Sequence, residues 1–156
     1  MTESGPTWLE QYDRMRRWHA RLHAARRVDD HFVDDCYAFF TCCFHLKDWL
    51  QADTAIPQEV RDAVEPYVEG NLWLRLCADL ANGSKHMIVD RNPRFDHPAR
   101  VEKIGVLDLG FGISAMPVKP AAVIVIGSDS YSPQHVADRC VAQWNVFLAQ
   151  DGLRSD

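Results

Sequence analysis

Two rows of polar side chains recur at helical spacing in this chain, and both are built from residue types that carry protons or hold anions. Thr41, His45, Asp48 and Ala52 step by 4, 3 and 4 residues, which directs His45 and Asp48 to one side of a helix. Arg75, Asp79, Asn82 and His86 repeat that spacing and form a second row if their helix runs on through Gly83-Ser84-Lys85. Imidazoles exchange protons near neutral pH, a neighbouring carboxylate fixes their tautomer, and Arg or Lys holds phosphate. Two such rows facing each other would make a cleft for phosphodiester cleavage or nucleotide binding. His45 and His86 would then transfer protons, Asp48 and Asp79 would orient them, and Arg75, Asn82 and Lys85 would hold the phosphate or leaving oxygen. The opposing possibility is that each row is a solvated helix face and that Asn82-Gly83 ends the second helix, in which case His86 opens a strand.

Other chemistries have weaker support. His19 and His23 stand four residues apart, with His31 further on, so they could chelate a metal. The arginines among them favour plain surface histidines instead, because adjacent cations oppose a metal ion. The cysteines, Cys36, Cys42, Cys43, Cys77 and Cys140, are odd in number, show no CxxC spacing and fall in apolar periodic segments, as reduced core thiols do. There is no glycine-rich phosphate loop and no His-Glu-x-x-His, and Gly110-Phe111-Gly112 lacks a third glycine. No metal or cofactor is expected. A formal charge of −5 does not signal a broad electrostatic grip on nucleic acid.

The elements that must position these residues follow from hydrophobic periodicity. With 156 residues, 47% of them hydrophobic, the chain is long enough for one domain with an adequate core. It shows neither a membrane-spanning apolar run nor the charge order of a signal peptide, so a soluble, cytoplasmic protein is expected. Trp8, Tyr12, Met15, Trp18 and Leu22 predict an amphipathic helix over 7–27. Phe32, Cys36, Phe39, Cys43, Leu46 and Leu50 predict a buried spine over 29–50, with Asp29, Asp30, Asp34 and Asp35 at the positive end of its dipole. Residues 1–28 carry six Arg against three acids and residues 29–69 ten acids against two basic residues, which favours antiparallel packing of these two helices. A short helix over 57–64, with Pro66 beyond its end, precedes another over about 69–82.

Short apolar runs at 87–89, 103–109, 113–118 and 121–126 read as antiparallel strands, and Ser132-Pro133 opens a closing helix. The expected fold class is α+β: a four- or five-helix bundle over 7–87, a small antiparallel β-meander over 88–128, and a C-terminal helix over 132–150.

Within Arg91-Asn92-Pro93-Arg94-Phe95-Asp96-His97, the residues Arg91, Asn92 and His97 match a motif of Arg, a polar residue and, a few positions on, His. In that motif and in a helical bundle the chain resembles the HEPN superfamily. The family motif lies on a helix, whereas Pro93 and Pro98 oppose a helix here. The stretches His45-Leu46-Lys47-Asp48-Trp49 and Cys77 to His86, the latter with an Asn-x-x-Lys-His ending, are similar to bacterial HEPN-like proteins, so that the likeness spans 29–90. The resemblance implies a metal-independent ribonuclease or a nucleotide-binding component of a toxin or phage-defence system, acting on RNA or a nucleotide and dimerising through the bundle. A reading of a different class is a non-catalytic interaction module that forms a homodimer.

Overall fold

The computed structural model describes residues 5–85, 99–104 and 121–154. These form five helices and one sheet: α1 (Trp8–Ala24), α2 (Asp30–Ala52), α3 (Gln58–Gly70), α4 (Leu72–Lys85), β1 (Arg100–Ile104), β2 (Ala121–Ile126), β3 (Asp129–Tyr131) and α5 (Pro133–Gln150). The α+β class, with a small antiparallel sheet ahead of the last helix, is as expected. No helix among the described residues is long and apolar enough to cross a membrane.

Helix α2 is the spine. Phe32, Cys36, Phe39, Phe40, Cys43, Leu46 and Leu50 are buried along it, and the Asp29 carboxylate caps its start by accepting from the Phe32 amide at 3.0 Å. Helix α1 packs antiparallel to it. Gln11 donates to the Cys42 carbonyl at 2.8 Å, and Arg21 pairs with Asp35 at 2.7 Å, so partners descend on α2 as they ascend on α1.

Helix α3 outlasts its expected end and carries Pro66 within it. Proline removes the amide that would bond Asp62, but Pro66 and Asp62 both lie on the exposed side, where water satisfies the freed carbonyl. On the opposite side Val60, Val64 and Val68 are buried and hold the helix to the core. Helix α4 starts later than expected, because the Asn71 side chain accepts from the Trp73 and Leu74 amides. It then continues through Asn82-Gly83 to Lys85.

The sheet order is β1-β2-β3, all antiparallel, with Val101 opposite Ile124 and Ile124 opposite Tyr131. β3 is a strand that the apolar pattern does not announce, since Asp129-Ser130-Tyr131 offers no hydrophobic run. Gly127, at φ 55°, supplies the left-handed turn that folds it back onto β2. The strands expected at 87–89 and 113–118, and the far part of that at 103–109, lie outside the described residues. Helix α5 closes the bundle: Ser132 caps it, and the Trp144 indole donates to the Cys43 carbonyl at 3.2 Å.

Candidate functional site

The two rows expected to carry chemistry stand in different surroundings. His45 and Asp48 are exposed on the outer face of α2. Lys47 beside them bridges Glu65 of α3 at 2.9 Å and Asp48 at 3.4 Å, and its ammonium lies over the Phe44 ring. On α4 the helix persists to Lys85 and carries Arg75, Asp79 and Asn82 of the second row, but their face is not a solvated one. Asp79 is only 3% exposed, and Arg75 and Asn82 are half-buried. The described residues thus gather His45 with Asp48 on a wet surface, and Arg75, Asp79 and Asn82 on a face largely withdrawn from solvent. His86, the side chain of Lys85 and the Arg91-Asn92-His97 segment lie outside the described residues.

A third row, on α1, has the same 4, 3 and 4 spacing: Tyr12, Arg16, His19 and His23. It runs along the seam with α5. At one end the Tyr12 hydroxyl donates to Asn145 Oδ1 at 2.7 Å. At the other, His19 Nε2 and His23 Nε2 approach the same oxygen of Asp138, Oδ1, at 2.6 and 2.7 Å. Partners again descend on α5 as they ascend on α1, which makes these helices antiparallel. Eleven residues of helix rise separate Tyr12 from His23, so the seam is roughly 16 Å long.

The histidine end is a compact cluster. The two imidazole rings meet edge to face with centroids 4.8 Å apart, and the His19 ring leans on Phe39 of the spine at 5.9 Å. His19 is largely covered, at 18% side-chain exposure, while His23 and Asp138 are open to solvent at 45% and 49%. Partial burial works to raise the Asp138 carboxyl, but the hydrogen bonds from His19 and His23 outweigh it and hold the group below the usual carboxylate range. The ligand atoms of His19, His23 and Asp138 all lie within 4.8 Å of one another.

The tyrosine end is a hollow of about 150 Å³ lined by Tyr12, Arg16, Asn145 and Arg154. The Arg154 guanidinium sits 4.5 Å from the Tyr12 ring centroid. No ion pair among the described residues engages Arg16 or Arg154.

A second trio lies inside the bundle. Cys43 of α2, Cys77 of α4 and Cys140 of α5 bring their sulfurs within 4.8 Å of one another, all at 1% exposure or less. Their thiols act as ties between helices: Cys77 donates to the Phe40 carbonyl at 3.3 Å and Cys140 to the Trp73 carbonyl at 3.4 Å. All five cysteines are free thiols; Cys36, Cys43, Cys77 and Cys140 are buried as expected, whereas Cys42 is half-buried.

The seam was only half visible in the sequence. The His19/His23 spacing was there to find, but Asp138 is 115 residues beyond His23, and nothing local marks it as their partner. No protein-family model matches the chain, and no curated protein or solved structure is significantly similar to it.

Proposed function

We propose that the α1–α5 seam binds a phosphate-bearing ligand, a nucleotide or an RNA chain, and that His19, His23 and Asp138 stand ready to act on it. One observation carries this reading: Arg16 and Arg154, free of carboxylate partners among the described residues, line a polar hollow on the same helical row as the histidine pair. A guanidinium offers forked donors that match phosphate oxygens, and among the described residues no carboxylate lines the hollow to compete for them. The Tyr12 hydroxyl and the Asn145 amide add neutral polar edges at 2.7 Å from each other, suited to a ribose or base edge. His19 begins one turn beyond Arg16, so an ester held by the arginines would present its oxygens toward the imidazoles. The reading keeps the ligand class that the helical-bundle resemblance implies and moves the site from the α2 and α4 rows to the seam.

The test is fluorescence anisotropy of a labelled RNA oligonucleotide, with ATP as competitor, on the full chain and on an Arg16→Ala/Arg154→Ala variant. Both arginines are exposed, so circular dichroism should not change. At least a tenfold loss of affinity is expected. Equal binding by the double variant, or no saturable binding by the native chain, removes the reading.

A further inference from the structure

We propose that His19, His23 and Asp138 form a site for a divalent transition metal of the zinc class, with a fourth coordination position open to solvent. Two imidazole nitrogens and one carboxylate oxygen are the donor set that such ions take, and three protein ligands with one open position is the pattern of a reactive site. The geometry is already convergent. Both Nε2 atoms point at a single oxygen, from 2.6 and 2.7 Å, so the donor directions of the two rings cross at one place. A tetrahedral ion with bonds near 2.1 Å keeps its ligands about 3.4 Å apart, so each contact would open by roughly 0.7 Å, a movement that small side-chain rotations supply.

Three neighbouring arginines are turned away from the cluster in the folded chain, and Arg16 stands one turn from His19, toward the polar hollow. Arg14 is turned to Gln11 and Trp49, Arg21 to Asp35 and Trp18, and Arg139, next to Asp138 in sequence, lies over Trp73. Phe39 walls the site behind His19, while the exposure of His23 and Asp138 leaves an entry from solvent. With neutral imidazoles, one carboxylate and a divalent ion, the net charge is +1, which favours a hydroxide or phosphate oxygen in the open position. Hard ions such as Mg²⁺ prefer all-oxygen sites and are not expected to bind.

This site shares the seam with the phosphate-ligand reading but is tested without that ligand. Untagged full chain, freed of metal by chelator and dialysis, is titrated with Co²⁺ by absorbance and with Zn²⁺ by calorimetry. One ion per chain is expected, with a tetrahedral Co²⁺ spectrum and no thiolate charge-transfer band. Asp138→Asn and His23→Ala should each weaken binding at least about tenfold, with circular dichroism unchanged, whereas His45→Ala should bind as the native chain does. The absence of saturable Co²⁺ and Zn²⁺ binding, a thiolate band, or native affinity in both seam variants overturns the proposal. Metal binding that persists while RNA binding is absent upholds the metal site and removes only the ligand reading.

Discussion

Among the described residues, two groups of three ligating side chains each bring their donor atoms inside 4.8 Å, yet their surroundings are opposite. His19, His23 and Asp138 sit on the α1–α5 seam with two members about half exposed. Cys43, Cys77 and Cys140 sit in the core at 1% exposure or less. Burial pushes the Cys77 and Cys140 thiols well above their ordinary range. Two of the three sulfurs therefore keep their protons and give them to helix carbonyls. On the seam the balance is reversed: the charged form of Asp138 is the favoured one, and solvent can reach it. Closeness of donors does not make a site. Access, and a charge state that the environment supports, separate a working cluster from a structural one.

The contrast breaks first in stability. Trp144→Ala empties a position that is 1% exposed and strips the Cys43 carbonyl of its indole donor, so a loss of about 3–5 kcal/mol is expected. Thermal unfolding should shift down by about 10 °C. A loss under about 1 kcal/mol would show that the helices around the thiol trio are not the mechanical centre of the bundle. The seam should respond to metal instead: Zn²⁺ at a hundred times its dissociation constant raises stability by about 2.7 kcal/mol if it binds only the folded chain. The same addition to Asp138→Asn should move the midpoint little. Next in size is Cys77→Ala, which removes one buried atom and the donor to the Phe40 carbonyl. A loss of about 1–2 kcal/mol by urea unfolding is expected, and no loss would mean that the thiol tie contributes nothing.

How far such a contrast can be read from sequence depends on whether the signal is local. The spine of α2 was legible because Phe32, Cys36, Phe39, Cys43, Leu46 and Leu50 keep helical spacing, and all six are buried. β2 was legible as an apolar run bounded by Pro120 and Gly127. The end of α3 was not, since the rule that proline stops a helix assumes an interior carbonyl, whereas Pro66 lies on the wet side. Asp79 shows the other kind of failure. A carboxylate on a polar row reads as solvated, and only the packing of α4 against its neighbours reveals that it is 3% exposed. For the candidate site, the α1 row is periodic and could be seen, whereas Asp138 and Asn145 come to it through the antiparallel docking of α5, a tertiary event with no local trace.

The smallest expected effect concerns the protons on the seam. Asp138→Asn preserves shape while removing a charge that is half exposed, so its cost at neutral pH is about 0–1 kcal/mol, or a few degrees at most in the unfolding midpoint. The sign with pH follows from the direction of the shift. Because hydrogen bonds from His19 and His23 hold the folded carboxyl below its unfolded value, Asp138 contributes stability above the unfolded value, near pH 4, and loses it as pH falls through the lower folded value. The midpoints of the native chain and Asp138→Asn should therefore differ slightly at neutral pH and converge in acid. Asp30, held below its usual range by Lys103, titrates in the same window in both proteins and cancels in the comparison. A gap that widens in acid would mean that the carboxyl is held protonated in the folded chain, and the donors of His19 and His23 would then lack the anion that fixes them.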